Sequence, residues 1–238
     1  MIRLDKLIAH CGVGTRKEVK QFIRKGLVQV NDQIIKKDDF KVDENHDEVF
    51  FDGVQLYYRE FVYLMLNKPQ GYISATKDNF HPTVLELIEG YENYDLFPVG
   101  RLDIDTEGFL ILSNDGDFAH RLLAPSRNHD KIYYAIIDGI VNDQDIQAFE
   151  QGLTIDTGHV CKPAKLKILE TSENESKIEV TIQEGKFHQV KKMFEAVDKK
   201  VTYLKRIQIR NVKLDEHLKL AAYRELTSQE LFDLFNDL

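Results

Sequence analysis

Cysteine is scarce in this 238-residue chain: there are two, Cys11 and Cys161, far apart in sequence. That count excludes a disulfide framework, gives no zinc spacing and suits a reducing cytoplasm. Long apolar runs are missing, so no membrane span is expected. The opening MIRLDKLIAHCG lacks a signal-peptide core and predicts no export. There are no repeats and no low-complexity segment, and no His/Asp/Glu cluster has the spacing of a metal site. Positive charge is in deficit, with 32 Lys and Arg against 40 Asp and Glu and a net charge of −8. Taken alone, that balance argues against a nucleic-acid partner. The 42% hydrophobic and 30% charged content predicts a soluble protein with a core, built as one large domain or as a small and a medium one.

The charge is unevenly spread. Residues 1–37 hold nine Lys and Arg against three acids, residues 38–58 one against seven, and residues 186–213 nine against two. Basic clusters matter more for RNA than the overall sum. In the first piece, to about residue 58, Leu4, Leu7, Ile8 and Cys11 mark a helix stripe that Gly12 and Gly14 break. Thr15 to Glu18 has the form of a capping box. The helix that follows turns Val19, Phe22 and Ile23 inward and stops at Gly26. Arg16, Lys20 and Arg24, spaced four apart, share its outer face. Arg3, Lys17 and Lys25 extend that face, with Glu18 as the one interrupting acid. These six cations predict an RNA-binding surface on a very small core of two helices and short strands.

The second piece, residues 60–238, alternates strands and short helices without a βαβ rhythm. Strands are expected at Val62–Leu66, Phe109–Leu112, Lys131–Ile137, Val160–Leu169, Lys177–Gln183 and Tyr203–Val212. Helices are expected at Thr83–Glu89, Asp117–Leu123, Asp143–Gln151, His188–Ala196 and Ser228–Leu238. The last opens on a capping box, Thr227 to Glu230, and turns Leu231, Leu234, Phe235 and Leu238 inward. The period-2 alternation of Ile178, Val180 and Ile182 is that of half-buried antiparallel strands. The predicted class is α+β, on a mixed and mostly antiparallel sheet.

Three loops hold chemistry-bearing residues. Gly100 to Gly108 encloses Asp103. Its Asp103, Asp105, Glu107 and Gly108 imitate the start of an EF-hand, but position twelve is Asn114 and not the required Glu, which excludes calcium. A structural turn is the other reading. Lys131-Ile132-Tyr133 opens a strand on which Tyr133 and Tyr134 face opposite ways. Glu184-Gly185-Lys186-Phe187-His188-Gln189-Val190-Lys191 feeds a helix N-terminus with cations beside it, a setting for phosphate or carboxylate. A solvated basic helix is the alternative.

Together these stretches resemble the RsuA-type ribosomal RNA pseudouridine synthases over nearly the whole chain. The first piece resembles an S4-like RNA-binding domain. Leu66-Asn67-Lys68-Pro69-Gln70-Gly71 resembles the opening of the family's catalytic domain. Gly100-Arg101-Leu102-Asp103-Ile104-Asp105-Thr106-Glu107-Gly108 matches its G-R-L-D-x-x-T-x-G signature, Lys131-Ile132-Tyr133 its K-x-Y, and Glu184 to Lys191 its E-G-K-x-H-Q-V-K. The resemblance implies Asp103 as catalytic aspartate, acting as nucleophile or base, Tyr133 packed on the target uracil, and Lys191 as the cation that keeps Asp103 ionised. It also implies RNA contacts for Arg101, Lys186, His188 and Gln189. The reaction that the resemblance implies is an isomerisation, for which neither metal nor cofactor is expected. The expected partner is ribosomal RNA, bound by a cytoplasmic monomer with no membrane association. The chain departs from the family in carrying Arg210 and Ala222 where glycines are usual. It ends without the basic tail of some large-subunit enzymes, which points to small-subunit RNA. A large-subunit target, a non-catalytic ribosome-assembly factor and a metal-dependent hydrolase are the alternatives.

Overall fold

The computed structural model describes residues 1–124, 129–156 and 158–235. They form two compact units, Met1–Val62 with Glu89–Asp95, and Tyr63–Ile88 with Leu96–Leu238. Segment 89–95, which the sequence places with the second piece, clusters with the first.

In the first unit β1 (Ile2–Arg3) leads into α1 (Leu4–His10), and α2 (Arg16–Arg24) follows. Both halves of the Thr15/Glu18 capping box form, and Gly26 takes the left-handed conformation expected just past a helix end. The strands are β2 (Val28–Val30), β3 (Gln33–Ile34), β4 (Lys41–Val42), β5 (Val49–Phe51) and β6 (Val54–Leu56). Leu4, Leu7, Ile8, Val19, Ile23, Val28, Val42 and Val49 build the core.

The basic face differs from the expectation. An acid does interrupt it: Asp5, contributed by α1 and fully buried. Arg3 and Arg16 both bond Asp5 at 3.0 Å, and Lys20 lies 3.7 Å away. Arg24 pairs with Asp38 at 2.9 Å. The sequence stripe concealed this because Asp5 is eleven residues from Arg16 and belongs to the other helix. Lys17 and Lys25 remain exposed.

The second unit holds a nine-stranded sheet. Its strands are β7 (Tyr63–Lys68), β8 (Phe97–Val99), β9 (Glu107–Ser113), β10 (Lys131–Asp138), β11 (Lys165–Thr171), β12 (Glu175–Ile182), β13 (Lys200–Ile209), β14 (Val212–Lys213) and β15 (Tyr223–Glu225). The order is β11-β12-β10-β13-β9-β7-β15, with β14 on β13 and β8 on β9. Among the described residues the β9–β13 pair is parallel and the others antiparallel. The helices are α3 (Gly116–Leu123), α4 (Asp143–Gln151), α5 (Gln189–Glu195) and α6 (Ser228–Phe235). One core joins Met65, Phe109, Ile111, Phe118, Leu122, Ile209 and Leu234. On the α4 and α5 side Phe149 and Phe194 meet at 4.9 Å. The α+β class and the mixed sheet are as expected.

Three expected elements change. Val160–Leu169 is not one strand: Val160 makes an isolated bridge to Thr154, and β11 begins at Lys165. Pro163 lies between and has no N–H for a ladder. Thr83–Glu89 is a single 3-10 turn, Val84–Leu87, closed by Thr83 and Glu86. Tyr203–Val212 breaks at Arg210, where φ is 53°. Arg210 thus takes at its own backbone the left-handed turn that a glycine would make easily, and its guanidinium bonds Leu234 O at 2.7 Å, capping α6. Near the second glycine position the left-handed residue is Ala221, φ 67°, and not Ala222. In α6 Leu234 is fully buried and Leu231 and Phe235 pack beside it. Leu238 lies outside the described residues.

Burial alone would raise the pKa of Asp5, but its bonds to Arg3 and Arg16 override that and hold it below 3.8. A carboxylate with a lowered folded pKa stabilises the fold above its unfolded pKa and loses that contribution as pH falls through the folded value. Asp5→Asn is expected to cost about 1–3 kcal/mol in urea unfolding at neutral pH. The gap from wild type should close as pH drops below about 4. A gap independent of pH would show that the Asp5 charge does not hold this unit.

Candidate active site

The loop from Gly100 to Thr106 joins β8 to β9 and is held from beneath. Lys68, at the end of β7, is fully buried. Its ammonium donates to Thr106 O at 2.8 Å, Asp103 O at 3.0 Å and Pro69 O at 3.1 Å. Ser74 bonds both backbone groups of Leu102, donating to its O at 3.1 Å and accepting from its N at 3.0 Å. Gly71 N donates to Ile104 O at 2.8 Å. Past the loop, Gly108 has φ 102°, and a Cβ there would lie 2.2 Å from Arg206 O on β13. Only glycine permits that approach and that conformation together. Arg206, buried, donates from Nε to Phe109 O at 2.7 Å.

This scaffold sets Asp103 beside a cleft lined by Arg101, Leu102, Thr106, Tyr133, Ile182, Lys186, His188, Gln189 and Leu204. Asp103 Oδ2 lies 3.8 Å from Lys191 Nζ, and Oδ1 lies 3.7 Å from His188 Nε2. Its side chain is 26% exposed, open enough for a ligand to reach. Tyr133 shares the buried face of β10 with Ala135 and Ile137, and Tyr134 faces the other way. The structure therefore brings together Asp103, Tyr133, Lys191, Arg101, Lys186, His188 and Gln189.

Two of these residues have further partners. Lys191 binds Asp105 more tightly than Asp103, at 2.6 and 2.7 Å to its two oxygens. Partial burial alone would raise the pKa of Asp105, but the Lys191 bond overrides it and lowers the value. Lys191 is therefore shared between two carboxylates. Gln189, expected at RNA, is buried and spends its amide inside the loop, accepting from Lys186 N at 2.9 Å and donating to Glu184 at 2.8 Å.

Sequence reasoning missed Lys68, Asp105, Ser74 and Arg206 as parts of this site. Lys68 carried a signal, since a lysine ending a run of apolar strand residues has to find acceptors once buried. Ser74 and Arg206 carried none. The cluster His159, Cys161 and Glu184, with ligand atoms within 4.8 Å of one another, also escaped notice because 23 residues separate Cys161 from Glu184. Glu184 already accepts from Lys162 N at 2.9 Å, from Gln189, and at 3.2 Å from His159. It braces the loop that leads to α5.

Residues 62–196 match the RNA pseudouridylate synthase family, and residues 2–48 match the S4 domain. The chain is 46% identical to the RNA pseudouridine synthase YtzG of Bacillus subtilis (strain 168), over 97% of each chain. It is 38% identical to ribosomal small subunit pseudouridine synthase A of Salmonella typhimurium, covering 97% of this chain and 98% of that one. It is 37% identical to ribosomal large subunit pseudouridine synthase B of Bacillus subtilis, with 97% and 94% covered. A crystal structure of a pseudouridylate synthase, 35% identical, superposes with a TM-score of 0.69 over 98% of this chain and 100% of that one.

Burial drives the pKa of Lys68 down from 10.5 to about 8, against the pull of Asp105, Asp103 and Glu107. From about pH 8 to 10.5 the unfolded chain therefore holds a proton that the folded chain has released, and stability attributable to Lys68 rises with pH. Lys68→Met orphans buried carbonyls and should cost about 3 kcal/mol or more in urea unfolding. The gap from wild type should be flat below about pH 8 and widen above it. A gap that stays flat up to pH 10 contradicts a buried, charged Lys68.

Proposed function

The chain belongs to the RNA pseudouridylate synthase family, and from that premise we propose that it isomerises a uridine of ribosomal RNA, with Asp103 as the catalytic carboxylate. The observation that carries this reading is the cleft itself. A carboxylate on a braced loop, with a cation or an imidazole near each oxygen, faces a buried aromatic residue across a recess. The reaction breaks the bond from ribose to a uracil nitrogen and rejoins the base through a ring carbon. No electron is gained or lost and no water is consumed, so acid–base and covalent chemistry suffice. Asp103 serves as nucleophile at the anomeric carbon or as base toward the adjacent ribose proton.

Lys191 stands 3.8 Å from Asp103, and its bond to Asp105 fixes the ammonium in place. Leaving the RNA stack costs the uridine a few kcal/mol, and packing on Tyr133 returns about 1–3. Arg101, Lys186 and His188 line the cleft where the strand enters and suit its phosphates. Arg3, Arg16, Lys17, Lys20, Arg24 and Lys25 in the S4-matching unit supply the wider RNA grip, led by Lys17 and Lys25, which are exposed and outside the Asp5 cluster. The protein acts in the cytoplasm as a monomer of two domains, residues 1–58 and 60–238.

Small-subunit RNA is the first reading of the substrate, because several relatives named for the small subunit, in Yersinia pestis, Salmonella and Escherichia coli, are 36–38% identical over 97% of this chain. Large-subunit RNA is the second, favoured by the 37% identical enzyme of Bacillus subtilis. Purified protein with transcripts of each RNA, followed by pseudouridine mapping, decides between them. The expected result is one new position in the small-subunit transcript. One in the large-subunit transcript selects the second reading, and none in either overturns the function.

Tyr133→Phe retains the ring and should stay within about tenfold of wild-type turnover, whereas Tyr133→Ala should lose about a hundredfold. Equal large losses would point to the hydroxyl and against stacking. Replacing Lys17 and Lys25 by Ala should flatten the fall of log affinity with log salt by about 1.4, or 0.7 per lost contact to single-stranded RNA. An unchanged slope would remove this face from RNA binding.

A further inference from the structure

Phe187 is 69% exposed, between two residues that line the Asp103 cleft, Lys186 and His188. His188 has φ 54°, a conformation uncommon outside glycine. Its ring lies against that of Phe187, with centroids 3.8 Å apart and planes 19° from parallel. The same imidazole reaches to 3.7 Å from Asp103. Lys192 Nζ stands 5.6 Å from the Phe187 centroid, and Ile155, His159, Lys186, Phe187 and Lys192 line one recess. A series thus runs outward from the carboxylate: imidazole, then phenyl, then the Lys192 ammonium, with Lys186 lining the same recess.

The arrangement has a cost within the fold. A phenylalanine left in water forgoes the gain of burial, and a non-glycine left-handed residue adds backbone strain. Among the described residues the Phe187 ring meets His188 and the Lys192 ammonium, which leaves much of it uncovered.

We propose that Phe187 is the stacking platform for the unpaired nucleobase next to the target uridine, with Lys186 and Lys192 taking the phosphates of that stretch of strand. The inference rests on the reading of the chain as an RNA-modifying enzyme. A nucleotide rotated out of its stack leaves its neighbours uncovered on one side, and the platform lies one imidazole away from where that nucleotide enters. Aromatic faces bracketed by cations are how proteins hold single strands without regard to sequence. Lys192 pairs with Asp156 at 3.0 Å, but Asp156 is 61% exposed. The carboxylate is the exposed partner of the pair, Lys192 being 15% exposed, and a phosphate competes with that carboxylate for the ammonium.

The chain has no tryptophan, so Phe187→Trp installs a single fluorescent reporter. The probe is a short single-stranded RNA around the uridine located by mapping, or decauridylate if mapping locates none. Binding, followed independently by anisotropy of labelled RNA, should quench the tryptophan. With the mapped RNA, removing the base on one side of the uridine should abolish the quench. Phe187→Ala should weaken binding by about 5- to 150-fold, and the same abasic RNA should lose nothing more with this variant. RNA binding without quenching, or Phe187→Ala binding within about twofold of wild type, overturns the platform. Quenching without pseudouridine formation keeps the platform and removes the catalytic reading. Normal affinity and product with Phe187→Ala do the reverse.

Discussion

The ammonium of Lys68 is the constraint on which the catalytic unit depends. It leaves water completely and replaces part of its hydration with three main-chain carbonyls, two of them in the loop that carries Asp103. Two carbonyls converging on one cation close the turn between residues 103 and 106. The closed turn fixes where the Asp103 side chain emerges. Everything nearby assists: Ser74 holds Leu102 at both backbone groups, and Gly108 lets β9 come against Arg206. A lysine buried among carbonyls is weak evidence for stability, since desolvation takes back much of the attraction. It is better evidence for a defined loop geometry, which is what chemistry on a positioned ribose requires.

The first unit uses the same physics with the signs reversed. Asp5 is a buried carboxylate beneath Arg3, Arg16 and Lys20, as Lys68 is a buried ammonium beneath carbonyls and acids. Each unit encloses a charge that organises several groups of opposite polarity. This accounts for a chain that is acidic in sum yet handles RNA. Asp5 neutralises and orients Arg3, Arg16 and Lys20 from beneath. Lys191 is held between two carboxylates: Asp105 anchors it at 2.6 Å, and Asp103 lies 3.8 Å away.

Much of this was legible in the sequence because the signals were local. Capping boxes, alternating strands and the glycines of Gly100 to Gly108 act over a few residues, and they predicted α2, β9, β10, β12 and α5 within a few residues at each end. What escaped was set by contacts distant in sequence. Arg206 and Gly108 are 98 positions apart and meet only because β9 and β13 run parallel. Asp105 reaches Lys191 across 86 positions. Pro163 was a local signal that should have shortened the expected strand at Val160. Arg210 shows the converse: a left-handed turn survives without glycine because the arginine side chain caps α6.

The account stands on one carboxylate, and the most direct measurement is pseudouridine mapping of ribosomal RNA from cells that lack this protein, supplied with the wild-type chain or with Asp103→Asn. The change is isosteric and leaves the Lys68 contact to the Asp103 carbonyl untouched. One uridine should lack modification without the protein and regain it with the wild-type chain alone. Restoration by Asp103→Asn would contradict the account and return the Asp103 loop to a structural turn.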